Sequence, residues 1–233
     1  MMSIFSKIVY ILIAKKQSRF GVSDSNIPIN LDDTQQLIYI HIPKNAGTSI
    51  AEKLGFEQSS HATISQIQAQ LSPEQFERYF KFSFVRNPFD RFLSLYNYAR
   101  LKESRYHSAI NPEKALWGKH LDYDLLEHAT LNQCAHYLLE GRLRHDEGWN
   151  HWLPQVNWLK DGNGNIPLDF IGRVETIPED FKQLATQLNI DGELPYLNKS
   201  KRIIDYKDCY DKETQKIVSD YYKEDLETFG YQF

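Results

Sequence analysis

Short apolar runs alternate along this chain with segments whose apolar residues recur at helical spacing. The runs at 37–42, 82–85 and 168–174 are rich in β-branched and aromatic residues, and each is followed by a helical pattern. Such runs predict strands, and the first two are of the kind that is buried in a parallel sheet. Strands that alternate with helices indicate a parallel sheet with right-handed crossovers and a ligand at the carboxyl ends of the strands. The predicted fold is therefore α/β, a parallel β-sheet flanked by helices.

Cap residues sharpen the predicted helix boundaries. Ser72, with Pro73 after it and Gln75 at the third position, predicts the start of a helix. A short helix is predicted at 65–71, and a longer one starts at Asp90 after the second strand. Two more helices are predicted near the C-terminus, at about 178–188 and, as one continuous helix, at about 211–229.

The 233 residues are enough for one α/β domain. We predict an N-terminal helix and linker at 1–36 and a single domain at 37–233, with a substrate-facing helical insertion at about 102–150. The apolar run at 8–14 is too short to span a bilayer. It predicts an amphipathic helix that packs on the domain or lies on a membrane surface. With no long anchor, the expected location is cytoplasmic, with peripheral membrane association as the alternative.

The overall charge narrows the range of partners. Lys and Arg number 27 against 31 Asp and Glu, a formal net charge of −4, which argues against a general binder of nucleic acid polymers. The two cysteines, Cys134 and Cys209, cannot form a disulfide framework. No His, Cys or carboxylate spacing suggests a metal site.

The stretch LIYIHIPKNAGTSIAEKL, residues 37–54, predicts an anion site between a strand and a helix. Pro43 ends the strand, and Gly47 permits either an unusual backbone conformation or a close approach. Thr48 and Ser49 are good N-cap types, so loop N–H groups and a helix N-terminus point at one spot, with Lys44 adding charge. The alternative is an ordinary turn with a solvated lysine. Because the Lys precedes the Gly, the spacing is not Walker A, which disfavours an ATP- or GTP-hydrolysing P-loop.

A second candidate anion site follows the second strand. Arg86 stands at the strand end, and Ser94 lies eight positions later, in the following helix. An arginine fork suits a phosphate and a hydroxyl can donate to it. Alternatively, Arg86 pairs with Asp90 and Ser94 is a plain helix-surface residue. Taken alone, a basic stretch such as LNKSKR at 197–202 is more often a solvated charge run.

Four segments resemble the sulfotransferases in the right order. HIPKNAGTSI resembles their 5′-phosphosulfate loop, and FVRNPFDRFLSLY resembles their 3′-phosphate motif. HWLPQ and DFIGRVE…EDF resemble segments of the membrane-bound carbohydrate sulfotransferases and their bacterial relatives. The resemblance covers about 37–230 in patches. It implies a nucleotide-kinase-like fold, 3′-phosphoadenosine-5′-phosphosulfate (PAPS) as donor, and transfer to a hydroxyl, expected to be that of a saccharide.

The resemblance also assigns binding residues. Arg86 and Ser94 would hold the 3′-phosphate, and Lys199 and Ser200 would close over the nucleotide, with Lys201 or Arg202 as alternatives. The 5′-phosphosulfate would be held by Lys44 and the loop residues Asn45, Ala46, Gly47, Thr48 and Ser49.

The catalytic base is expected to be a histidine between the two motifs. Relatives of the glycosaminoglycan type carry a His in a similar stretch, which makes His61 the first choice, His151 its rival and Glu57 a distant third. Lys44 would stabilise the departing phosphate, so no metal is expected. Two other functions stay open: a kinase-like nucleotide-binding enzyme, and a catalytically inactive carbohydrate-binding relative.

Overall fold

The computed structural model describes residues 27–56, 60–102, 119–143, 150–190, 194 and 205–233. Short strands and helices alternate through this part of the chain. In chain order they are β1 (Leu31–Asp32), β2 (Leu37–Ile40), α1 (Gly47–Lys53), α2 (Ile64–Gln68), α3 (Pro73–Arg78), β3 (Phe80–Val85), α4 (Pro88–Ala99), α5 (Tyr123–Leu126), α6 (Leu131–Leu139), α7 (Val156–Leu159), β4 (Phe170–Arg173), α8 (Ile177–Leu188), a 3₁₀ turn (Tyr206–Cys209), α9 (Lys212–Tyr221) and α10 (Lys223–Phe229).

The sheet has the order β1-β2-β3-β4 within the described chain. β2, β3 and β4 are parallel, and β1 pairs antiparallel with β2. Parallel neighbours need a long crossover, which the helices between them supply. The carboxyl ends of β2, β3 and β4 therefore meet at one edge of the sheet. The predicted α/β fold is confirmed, and the antiparallel edge strand β1 was not predicted.

The apolar run of β2 serves both faces of the sheet. Ile38 and Ile40 belong to one buried cluster, whereas Tyr39 between them belongs to another. Successive side chains of a strand point to opposite faces, so one cluster lies on each side of the sheet. A third cluster, with Phe92 and Cys134 at its centre, joins α4, α6 and α9. Burial on both faces explains why β2 reads as apolar without alternation.

Helix starts follow the local cap residues. α2, α3 and α6 each begin with a capping box, in which a Ser or Thr hydroxyl and a Gln side chain accept one another's backbone N–H groups. The predicted start of α3 at Ser72 is thereby confirmed. α4 begins at Pro88, before the predicted Asp90, because the side chain of Asn87 caps it by accepting the Phe89 N–H at 3.0 Å.

The C-terminal helix predicted as continuous is two helices, α9 and α10, divided at Tyr222. The ring of Tyr222 is buried, and its hydroxyl donates to the Trp152 carbonyl at 2.7 Å. Beyond the break, the buried Asp225 carboxylate accepts the N–H groups of Gln155 and Val156 at 2.7 and 2.9 Å. The break thus lies between two buried anchors, and long-range contacts override the local helical pattern.

The predicted division into a 1–36 segment and one 37–233 domain stays a prediction. The helix expected within 1–16 lies outside the described residues, as do 103–118 and 144–149 of the expected insertion. Residues 119–143 of that insertion form α5 and α6. None of the helices in the described ranges is both long enough and apolar enough to span a bilayer.

Candidate functional site

In the loop between β2 and α1, two residues other than glycine have a backbone conformation in the left-handed region. φ is 69° at Lys44 and 61° at Ala46, values that L-residues rarely adopt. Ala46 occupies the N-cap, so Thr48 and Ser49 lie inside the first turn rather than at the cap position that their residue types suggested. Strained backbone of this kind costs on the order of 1–3 kcal/mol per residue and concentrates at ligand-binding loops.

Three of the five loop amides are available for an anion. The Asn45 N–H donates to a carbonyl three residues earlier at 3.3 Å, and the Ser49 N–H donates to the Ala46 carbonyl at 3.1 Å. The amides of Ala46, Gly47 and Thr48 have no acceptor among the described residues. Amides at the start of a helix lack intrahelical acceptors, so these three donors suit an anion.

Asn45 holds the loop in place with its side chain. It is fully buried, and its Nδ2 donates to the Phe84 carbonyl at 2.8 Å and to Gln155 Oε1 at 2.7 Å. Gln155 in turn accepts the Arg86 N–H at 2.9 Å and donates to the Arg86 carbonyl at 2.8 Å. The Gln of HWLPQ, a segment noted in the sequence without a role, therefore fixes the spacing between the two predicted anion loops.

Arg86 follows β3 directly and joins the two loops with its guanidinium. Nε and Nη2 both lie 2.7 Å from Oδ2 of Asp90, and Nη1 donates to the Lys44 carbonyl at 3.0 Å. The ion pair considered as a structural alternative is therefore present. The same contacts also place the two predicted anion-binding residues next to each other.

Ser94 lies on the face of α4 that is turned towards these two cations. Asp90, Ser94 and Tyr98 are four residues apart and so share one helix face. Asp90 binds Arg86 at one end of this row, and the Tyr98 ring lies 4.3 Å from Lys44 Nζ at the other. Half-buried Ser94 lies between them. The predicted hydroxyl is thus brought to the same region as Lys44 and Arg86.

The Lys44 ammonium lies in a setting that disfavours its charge. Burial, followed by the nearby Arg86 guanidinium, lowers the pKa of Lys44 to about 8. Tyr98 offsets part of this cost by presenting its ring to the ammonium. A bound anion would offset more, because an opposite charge favours the charged form of the lysine.

His61 lies in a cluster of buried imidazoles. Its ring centroid is 4.3 Å from that of His41 and 5.2 Å from that of His151, and His120 lies 6.3 Å beyond His151. Burial, and next the neighbouring His61, hold the pKa of both His41 and His151 well below the ordinary histidine value. The two predicted candidates for the base, His61 and His151, therefore share one pocket.

The orientation of the His61 ring is fixed by backbone contacts. Its Nδ1 lies 2.9 Å from the His41 carbonyl oxygen, which can only accept, so Nδ1 carries the proton of the neutral ring and Nε2 is the unprotonated nitrogen. The Trp158 indole N–H also donates to the His61 carbonyl at 3.2 Å. In this tautomer Nε2 is the ring nitrogen that can accept a proton, as a general base requires.

Gly47 is required for a close approach rather than for an unusual φ. A Cβ built on Gly47 would lie 1.7 Å from Nε2 of His41. Of the two roles predicted for this glycine, the structure shows the second. The left-handed conformations lie instead at Lys44 and Ala46.

Arg91 was not predicted, although it lies inside the second motif. Its guanidinium is buried and donates to three carbonyls: Pro43 at 3.0 Å, Leu153 at 2.9 Å and His151 at 2.7 Å. It thereby ties the anion loop to the segment that carries His151 and Gln155. The sequence gives one signal that Arg91 faces inwards: it lies four residues after Asn87, and so on the same face of the helix.

Other predicted residues lie outside the described ranges. They are Glu57, Lys199, Ser200, Lys201 and Arg202. Among the residues that are described, no group of three or more His, Cys, Asp or Glu side chains has an arrangement that could hold a metal ion.

Comparisons with known proteins agree on one family. The model of the sulfotransferase family matches residues 28–232. Carbohydrate sulfotransferase 12 of Xenopus laevis is 26% identical in an alignment that covers 69% of this chain and 48% of that protein. The chain therefore spans about half the length of this curated relative. No solved structure gives a significant match.

Proposed function

The chain belongs to the sulfotransferase family, and from that premise we propose that it transfers a sulfuryl group from PAPS to a hydroxyl of a carbohydrate. The observation that carries the proposal is the contact between the two candidate anion sites. Arg86 Nη1 donates to the Lys44 carbonyl at 3.0 Å, although the residues are 42 positions apart. Two adjacent cationic sites suit a donor that carries a phosphate at each end of one nucleoside.

The residues present fit such a donor by charge and by hydrogen-bonding type. Three loop amides that have no acceptor within the described ranges and the Lys44 ammonium form the site for the 5′-phosphosulfate. The Arg86 guanidinium and the Ser94 hydroxyl form the site for the 3′-phosphate. Asp90 holds the Arg86 fork at 2.7 Å, which orients it before binding.

His61 acts as the general base. When bound, the donor supplies the sulfuryl group: a bond forms between the acceptor oxygen and sulfur, the bond from sulfur to the 5′-phosphate oxygen breaks, and the hydroxyl proton passes to Nε2 of His61. Lys44 holds positive charge beside the phosphate oxygen that leaves, where negative charge develops. The protein otherwise contributes position and electrostatics, as in phosphoryl transfer.

A carbohydrate is proposed as acceptor on two grounds. The relative from Xenopus laevis is named a carbohydrate sulfotransferase. Around His61, the described chain also places Tyr98, His120, His151 and Trp152 close together, with His120 in ring contact with each of the other three. His120, His151 and Trp152 are buried, so half-buried Tyr98 is the ring of this group that suits stacking on a sugar. Mass spectrometry of glycans incubated with isotopically labelled donor tests this part directly.

Binding of adenosine 3′,5′-bisphosphate tests the donor site without an acceptor. At about 100 times Kd, a ligand specific for the folded state adds about 2.7 kcal/mol to the free energy of unfolding. For a chain of this size we expect Tm to rise by about 5–10 °C. Arg86→Ala should remove most of this rise, because it deletes the guanidinium that holds the 3′-phosphate.

The control is Arg142→Ala, since Arg142 is exposed and contacts only Glu140 and the Tyr137 ring among the described residues. It should leave the Tm rise unchanged. A wild-type protein that responds to ATP with Mg²⁺ but not to the bisphosphate would contradict the proposal and favour a kinase-like enzyme. Binding of the donor without any turnover would favour an inactive relative.

The affinity for adenosine 3′,5′-bisphosphate should fall as pH rises through about 8. Lys44 has a pKa of about 8 in the free protein, so its ammonium is lost above that value, and a neutral amine gives no charge to a phosphate. Titration calorimetry between pH 7 and 9.5 measures the effect. Lys44→Arg keeps its charge over this range and should give a flat profile. A wild-type profile as flat as that of the variant would contradict the role given to Lys44.

A further inference from the structure

His41 lies where β2, the anion loop and His61 meet. Its backbone oxygen accepts from Nδ1 of His61 at 2.9 Å, and the two rings are 4.3 Å apart. The His41 ring also stacks on the Tyr39 ring, with the ring centroids 5.6 Å apart and the planes inclined by 12°. His41 is itself buried. One residue thus contacts the proposed base with both its backbone and its side chain.

The same ring fills the space left by a missing side chain on the anion loop. A Cβ on Gly47 would meet three atoms of the His41 ring, the nearest, Nε2, at 1.7 Å. Gly47 is the first residue of α1 and one of the three donors proposed for the 5′-phosphosulfate. The His41 ring therefore touches both the loop that would bind the leaving group and the histidine that would receive the proton.

We infer that His41 is a positioning residue, which holds His61 in the Nδ1–H tautomer and at a fixed place relative to the anion loop. The inference rests on the proposed function for its catalytic consequence. His41 cannot itself present Nε2 to an acceptor, because that nitrogen packs on Gly47. Its ring also stays neutral, since burial lowers its pKa. It therefore adds no positive charge that would oppose protonation of His61.

Two substitutions of His41 separate the ring from its nitrogens. Both keep the backbone carbonyl that accepts from Nδ1 of His61, but His41→Phe also keeps a planar ring, whereas His41→Ala removes the ring that packs on His61. Loss of an outer group that orients a metal-bound histidine typically costs about 10–100-fold, and by analogy we expect a loss in kcat of about that size for His41→Ala. His41→Phe should stay within about threefold of wild type, and in both variants the bisphosphate affinity should change by less than about threefold.

The tautomer of His61 is measured directly by ¹⁵N–¹H correlation spectra of the full-length, ¹⁵N-histidine-labelled protein, assigned with His61→Asn. Wild type and His41→Phe should show the Nδ1–H form, and His41→Ala a mixture of tautomers. A wild-type His61 in the Nε2–H form would overturn the inference. So would a His41→Ala variant with unchanged kcat and an unchanged spectrum.

Gly47→Ala is a second way to perturb the His41 ring. The added methyl should displace His41, disturb the His61 tautomer and lower both kcat and bisphosphate affinity. Gly162→Ala is the matched control, because a Cβ there meets nothing within 4 Å. A Gly47→Ala variant whose His61 spectrum matches wild type would overturn the inference. If wild type neither binds the bisphosphate nor turns over the donor, the proposed function fails instead, and the spectra still decide the role of His41.

Discussion

His61→Asn is expected to lower kcat by about 10²–10⁴-fold, the usual contribution of a general base. The Asn amide can still donate to the His41 carbonyl from nearly the place of Nδ1, so the buried hydrogen bond at 2.9 Å is kept. What the variant loses is Nε2, the nitrogen proposed to take the acceptor proton. The measurement is turnover of donor with an accepting glycan.

Two further variants make this result specific. His128→Asn should behave like wild type, because the His128 side chain is 91% exposed. Bisphosphate affinity of His61→Asn should stay within about threefold of wild type, since the base is not part of the donor site. The rival candidate is tested with His151→Asn. If His61→Asn keeps full activity and His151→Asn shows the large loss instead, His151 is the base.

Arg91→Met is expected to lower the free energy of unfolding by about 3–5 kcal/mol. Met keeps much of the apolar volume beside Trp158 but leaves the carbonyls of Pro43, His151 and Leu153 without their donor. Each buried carbonyl left unsatisfied costs about 1–3 kcal/mol. That loss is a large share of the 5–15 kcal/mol that typical domains have. Urea unfolding, followed by tryptophan fluorescence, measures the change.

The comparison for Arg91 is again Arg142→Ala, which should change stability by less than about 0.5 kcal/mol, as expected for an exposed site. A loss below about 1 kcal/mol for Arg91→Met would mean that water or a shift of the backbone satisfies the three carbonyls. Because Arg91 holds Pro43, the variant should also bind the bisphosphate more weakly than its remaining folded fraction predicts.

The sequence predicted those strands and helices that are determined by interactions between residues close together in the chain. β2 and β3 were predictable because burial on both faces requires an unbroken apolar run. α3 was predictable because Ser72 and Gln75 satisfy each other across one turn. The two anion motifs were found from charge and strand ends. The division of the last helix at Tyr222 was missed, because its cause is a hydrogen bond to Trp152, 70 positions away.

The site was only partly predictable for the same reason. Lys44 and Arg86 were identified by charge and position, and Ser94 and His61 by the resemblance to the sulfotransferases. The structure brings these four residues to one region. Gln155 and Arg91 were missed as organising residues, since their partners lie in distant segments of the chain. Their sequence signals, a Gln in an aromatic segment and an Arg on an apolar helix, are shared by many residues without such a role.

Residue order alone thus specifies which segments become strands and helices, and which side chains bring charge to the strand ends. Folding adds the contacts between them. Arg86 donates to the Lys44 carbonyl, Asn45 donates to Gln155, and Nδ1 of His61 donates to the His41 carbonyl. The physical reason is range. Helix caps and apolar periodicity act within a few residues, whereas these contacts join backbone and side chains 20 to 110 positions apart, and no local pattern encodes them.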